Sequence, residues 1–167
     1  MNGTKKIKHE TDGTSYDLAI SVDVSSLDRL GKFEDIFQSA ISNICIDHHV
    51  SNKGFGDLCI VVGDASSACE VLCDLMDMDK VRDKTASCLY LGMVHDTGVF
   101  KYSSTSRKTM EYAGIMIEKG ADSAFIIDET FYKKTYRQNL LMARTILESQ
   151  LHAEGKVISG VITRETT

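Results

Sequence analysis

The chain has 167 residues, enough for one domain or slightly more. Hydrophobic residues make up 43% and charged residues 26%, a globular composition that argues against disorder. The net charge of −5, from 24 acidic and 19 basic residues, speaks against holding nucleic acid by bulk charge. An anionic substrate then needs local help, and bound metal is the obvious kind. Proline is absent, where average usage of about 5% predicts roughly eight; this excludes Pro-rich linkers and ligand motifs. No stretch reaches about 18 apolar residues, and the start from Met1 to Asp12 is polar and basic. The expected compartment is the cytoplasm, with no membrane partner.

Residues 1–15 read as a frayed or disordered start. Tyr16 to Asp23 reads as a short buried strand ending at an acid. Phe33, Ile36, Phe37 and Ala40 have helical spacing. A second strand, residues 41–46, runs into Asp47-His48-His49. Residues 50–57 form a loop, and Leu58 to Val62 a third strand. Ser67 with Glu70 predicts a capping box opening a helix with Ala68, Val71, Leu72, Leu75 and Met76 inward. A second helix, Val81 to Val94, turns Ala86, Leu89, Tyr90, Met93 and Val94 inward and ends at His95-Asp96-Thr97-Gly98. Val99 to Tyr102 reads as a brief strand. Residues 105–119 and 122–150 are helical by period, broken at Gly120, and Val157 to Ile162 is a last strand-like run. Strands followed by helices, with acids and histidines at the carboxyl ends of strands, indicate an α/β fold with a parallel sheet and a helical C-terminal half. Ligands of such sheets bind at those strand ends.

Five cysteines, Cys45, Cys59, Cys69, Cys73 and Cys88, form no CxxC pair. Cys69 and Cys73, four apart on an expected helix, read as small apolar filler rather than as a metal or redox pair. The chemistry concentrates elsewhere. Asp23 ends one strand, Asp47-His48-His49 ends another, and Asp96 ends a helix. Carboxylate and imidazole without thiolate suit Mn²⁺ or a similar ion. Adjacent histidines on an extended segment point to opposite sides, so only one enters a given site unless the chain turns there.

These segments resemble the DHH phosphoesterase family. The eponymous triplet stands as Ile46-Asp47-His48-His49, and Ala19-Ile20-Ser21-Val22-Asp23-Val24-Ser25 is similar to the preceding strand motif. Gly63-Asp64-Ala65-Ser66-Ser67-Ala68-Cys69-Glu70 resembles the family's capped helix start, and His95-Asp96-Thr97-Gly98-Val99-Phe100 its D-T-G-x-F motif. The resemblance covers roughly residues 17–150 and is strongest to the bacterial oligoribonuclease/phosphoadenosine-phosphate phosphatase branch. It implies that Asp23 bridges two metal ions, that His48 and Asp96 hold the second, and that His49 contacts the phosphate or attacking water. Asp47 would orient a histidine. A metal-bound hydroxide would cleave short oligoribonucleotides, 3′-phosphoadenosine 5′-phosphate or dinucleotides. Lys53, His95 and Arg107 are candidates for touching substrate, each weighed against an ordinary surface charge.

The family's earlier H-x-x-P-D-x-D-A motif, which supplies most ligands of the first metal, has no match before Asp23. His9, Asp12 and Asp17 stand there without the pattern. The expectation is therefore a partial DHH domain over residues 16–150, incomplete at its N-terminus. Residues 151–167 would begin a linker or substrate-binding domain. Two Mn²⁺ serve the intact family; one or none is expected here. The alternative function is a catalytically impaired fragment or a non-catalytic interaction module. A homodimer is open to either. An HD-type phosphohydrolase built on His95-Asp96 would be all-helical, and the strands ending at Asp23 and Asp47 count against it.

Overall fold

A computed structural model describes residues 7–11 and 13–163. Part of the expected frayed start, including Asp12, and the last four residues of the expected linker lie outside the described residues. The chain divides into two compact units, residues 1–127 and 128–167.

The first unit is built on a three-stranded sheet. Its strands, β1 (Leu18–Val22), β2 (Ser42–Asp47) and β3 (Leu58–Val61), are parallel and lie in that order. Ile20 is beside Ile44, and Ile44 beside Leu58. Residues paired side by side share a face of the sheet. A 3₁₀ segment (Leu27–Phe33) and helix α1 (Glu34–Ser39) connect β1 to β2.

Helix α2 (Ala68–Leu75) packs on the face carrying Ile44, Ile46 and Ile60, where Ile46, Ala65 and Val71 form a buried cluster. Leu18, Ile20 and Val22 lie on that same face but stay 49%, 52% and 39% exposed. The expected buried strand is thus an edge strand, because the apolar cover extends over β2 and β3 and stops short of β1. Leu75 and Met76 are likewise exposed rather than inward, since α2 ends at Leu75 and Met76 already has extended backbone.

Helix α3 (Asp83–Asp96) is the central helix. Ala86, Leu89, Tyr90, Met93 and Val94 are buried as their spacing predicts. Helix α4 (Arg107–Glu118) and the short α5 (Ser123–Ile127) pack against it. Ser106 and Thr109 cap α4 reciprocally. Lys108 and Tyr112 of α4 both bind Asp74 of α2, with Nζ–Oδ2 at 2.5 Å and the phenol donating to Oδ1 at 2.6 Å.

The strand expected at Val99–Tyr102 is absent. Gly98, Val99 and Phe100 have φ of 56°, 60° and 60°, a left-handed turn that no strand can contain. Buried Thr97 holds it: its hydroxyl accepts from the Phe100 amide at 2.9 Å, and its carbonyl accepts from the amides of Lys101 and Tyr102.

The second unit replaces the expected continuous helix over residues 122–150. The chain leaves α5 through a π-helical turn (Asp128–Tyr132), and α6 (Tyr136–Leu147) begins at a new capping box between Thr135 and Gln138. Thr135 Oγ1 accepts from the Gln138 amide and Gln138 Oε1 from the Thr135 amide, two donors that a continuous helix would pair with its own carbonyls. A hairpin follows, β4 (Gln150–His152) antiparallel to β5 (Val157–Ser159), so the last strand-like run is shorter than expected and has a partner.

Gly92 sets the approach of α2 to α3. A Cβ there would fall 2.2 Å from Cys69 Sγ. Asp96, four residues on, shares this face of α3, so the close approach also sets where its carboxylate lies. Gly92→Ala should destabilise the protein by about 1–3 kcal/mol in urea unfolding. Combining it with Cys69→Ala should recover much of that loss; equal losses in the single and double variants would contradict the contact.

Candidate metal centre

Asp23 follows the last residue of β1. Its amide donates to the Ile46 carbonyl at 3.0 Å, extending the ladder, but its φ is 63°. Asp tolerates this left-handed conformation better than most residues, at a cost of about 1–2 kcal/mol. The turn places the carboxylate beside the end of β2 rather than along the strand.

Strand β2 ends at Asp47. The rings of His48 and His49 lie 4.7 Å apart, and both face Asp23. Both histidines thus reach one site, rather than the single one expected of an extended doublet. His48 Nε2 is 3.3 Å from Asp23 Oδ1 and 3.7 Å from Asp96 Oδ2. Its other nitrogen, Nδ1, lies 3.2 Å from the Ala65 carbonyl. A carbonyl only accepts, so this bond requires the proton on Nδ1; a neutral ring that makes it turns the Nε2 lone pair toward the carboxylates.

Asp47 is fully buried, and its solvation is supplied by the protein. Oδ1 accepts from His49 Nδ1 at 2.7 Å, and Oδ2 from Asn52 Nδ2 at 2.7 Å. Burial pushes the carboxyl up, but the bonds from His49, Asn52 and the amides of His48 and His49 outweigh it and hold Asp47 below the usual carboxylate range. Asn52 is itself fixed, donating to the Val24 carbonyl and accepting from the Gly54 amide. The sequence reading treats residues 50–57 only as a loop and so misses Asn52. The Asn-Lys-Gly turn around it is the available signal.

Asp96 ends α3. Burial pushes its carboxyl up and the negative charge of Asp23 pushes it further, while His48, His49 and His95 pull it down. Two carboxylates crowded about one imidazole favour a cation between them.

Asp23, His48 and His49 each offer a ligand atom, all within 4.8 Å of one another. Asp96 stands at His48 but outside that tight group, so His49 joins the residues geometrically able to ligate. The oxygen and nitrogen donors suit a divalent ion, and the hydrogen bond at Nδ1 gives His48 the orientation that metal-binding histidines have. Cys69 adds no thiolate: burial, with the charges of Asp96 and Asp23, raises its thiol to about 11. Cys73 is pushed to about 12, mainly by burial, and all five cysteines are free thiols.

The candidates for substrate contact lie less centrally. Lys53 is exposed beside Asn52, and His95 is exposed beside Asp96. Arg107 pairs with Glu111 at 2.7 Å on the surface of α4, a surface-charge arrangement. Of the described residues, no helix is long and apolar enough to cross a membrane.

The chain is similar to several known proteins. The profile of the DHH family, N-terminal domain, matches residues 2–93. The chain is 30% identical over 132 residues to the bifunctional oligoribonuclease and PAP phosphatase NrnA of Bacillus subtilis, across 75% of this chain and 42% of that protein. The NrnA of Thermus thermophilus is 27% identical over 120 residues, across 70% of this chain and 36% of that protein. The crystal structure of an exopolyphosphatase-related protein from Bacteroides fragilis aligns with a TM-score of 0.74 at 25% identity, over 81% of this chain and 42% of that one. The chain thus spans less than half the length of these relatives. With its α/β fold, its Asp-His-His strand end and a family match over more than half its length, the chain belongs to the DHH family.

Proposed function

We propose that the chain carries one half of a metal-dependent phosphoesterase site, for which Mn²⁺ is the expected ion. The reaction is hydrolysis of a phosphoester in short oligoribonucleotides, 3′-phosphoadenosine 5′-phosphate or dinucleotides. The observation that carries this reading is His48. Its Nδ1 is committed to the Ala65 carbonyl, and its Nε2 faces Asp23 and Asp96 at 3.3 and 3.7 Å. The relatives' activity on oligoribonucleotides and PAP, as their names state, supports the substrate class.

Asp23, His48 and Asp96 are the proposed ligands. A divalent cation bound there supplies Lewis-acid polarisation of a phosphoryl oxygen and acidifies bound water. His49 is proposed to act on the substrate side. Its Nδ1 is held by Asp47, which leaves Nε2 to meet a phosphoryl oxygen or take a proton from attacking water. Asp47 holds the ring at the correct angle and stabilises it when charged. Lys53, next to Asn52 in the chain, and His95, next to Asp96, are proposed to meet the anionic substrate.

One observation favours the alternative of impaired activity. Among the described residues there is a single Asp/His group of this kind, which provides for one ion rather than two. Mn²⁺ titration followed by turnover of a dinucleotide separates the readings. Weak binding of one ion per chain with slow turnover supports the half-site. Tight binding of two ions with rapid turnover overturns it. Asp96→Ala and Asp23→Asn should each weaken Mn²⁺ binding about tenfold or more. Wild-type affinity in both would remove these ligand assignments.

Asn52→Ala leaves a fully buried carboxylate short of a donor. Unfolding measurements should show a loss of about 1–3 kcal/mol. A loss below the error of the measurement would mean that Asp47 does not depend on Asn52.

A further inference from the structure

Glu70 lies on α2 and is 2% exposed, outside the metal-capable group. Its spacing from Ser67 predicts a capping box, of which only half forms. Ser67 Oγ accepts from the Glu70 amide at 3.1 Å, but the Glu70 carboxylate does not reach back to the Ser67 amide. It turns instead to Ser66 and Thr109. Oε2 accepts from Ser66 Oγ at 2.5 Å, from Thr109 Oγ1 at 2.7 Å and from the Ser66 amide at 3.3 Å.

The Ser66 amide belongs to the same peptide unit as the Ala65 carbonyl. A trans peptide is planar, and its N–H and C=O point in opposite directions. One end of this unit donates to Glu70 and the other accepts from His48 Nδ1 at 3.2 Å. Rotating the plane to satisfy one partner moves the group offered to the other. Ser66 and Ser67 are almost wholly buried, so a lost partner leaves a costly unsatisfied polar group. Thr109 also ties Glu70 to α4, since its hydroxyl accepts from the Ser106 amide while donating to Glu70.

We propose that Glu70 is a positioning residue for His48: through the Ala65–Ser66 peptide, it fixes the carbonyl that meets His48 Nδ1 and so aims Nε2 toward Asp23 and Asp96. This inference rests on the proposed metal site for its consequence, though its geometric content concerns the metal-free chain. Glu70→Leu removes the acceptor. Glu70→Asp keeps the charge but withdraws the carboxylate by one methylene. Glu70→Gln retains an oxygen for Ser66 and Thr109.

The test reads the tautomer of His48 in the metal-free full chain by long-range ¹H–¹⁵N correlation, at a pH above the titration observed for that ring in the same spectra. Mn²⁺ affinity is measured by titration in parallel. The wild type should hold the proton on Nδ1. Glu70→Leu and Glu70→Asp should populate the Nε2–H form and bind Mn²⁺ about tenfold more weakly, whereas Glu70→Gln should stay near wild type. A merely structural Glu70 would lower the unfolding midpoint and leave tautomer and affinity unchanged. That outcome in folded Glu70→Leu, or in Glu70→Asp if the leucine variant does not fold, overturns the proposal. So does a wild-type His48 protonated on Nε2. If the wild type binds no Mn²⁺, the metal-site reading fails, and the tautomers alone decide the role of Glu70.

Discussion

The hydrogen bond from His48 Nδ1 to the Ala65 carbonyl is the constraint around which the site is arranged. It joins the end of β2 to the loop that opens α2, and so links the sheet to the first helix packed on it. With Nδ1 committed, the imidazole has one free lone pair and one direction in which to present it. Asp23 and Asp96 then converge on that nitrogen from two other elements, the end of β1 and the end of α3. Neither carboxylate would be there without a local backbone device. For Asp23 it is the left-handed turn; for Asp96 it is the close approach that Gly92 permits.

Two buried carboxylates stand behind the exposed ones. Asp47 is fully buried and secured by His49, Asn52 and backbone amides, and Glu70 by Ser66 and Thr109. Such groups are costly unless fully bonded, and fully bonded they rigidify their surroundings. Each aims one histidine: Asp47 directly through Nδ1 of His49, Glu70 through one peptide plane. The exposed pair Asp23 and Asp96, by contrast, is left to repel across the site, a repulsion that a bound cation would relieve.

Much of this is legible from the residues alone. Asp23, Asp47, His48, His49 and Asp96 all terminate apolar runs, and the structure brings them to one place. The three strands and the inward face of α3 follow the period of their apolar residues. The departures have local physical reasons. Val99 and Phe100 are good strand formers, but Thr97 binds the amides around them and turns the backbone left-handed. The long helical period after Gly120 hides a capping box at Thr135, which starts a new helix. Asn52 and Glu70 look like a loop residue and a cap, because Val24 and Thr109, which they bind, are far from them along the chain.

The sequence by itself determined the class of chemistry: carboxylates and imidazoles at element ends, without thiolate, in an acidic α/β chain of the DHH family. It determined the parallel strands as well, since their apolar period depends only on neighbours in the chain. Only the tertiary structure decided that both histidines face Asp23, that His48 is oriented by Ala65, and that β1 is an exposed edge. These depend on contacts between residues far apart in the chain. A hydrogen-bond acceptor supplied 17 residues away leaves no periodicity to read, and its direction is set by the peptide plane rather than by any side chain.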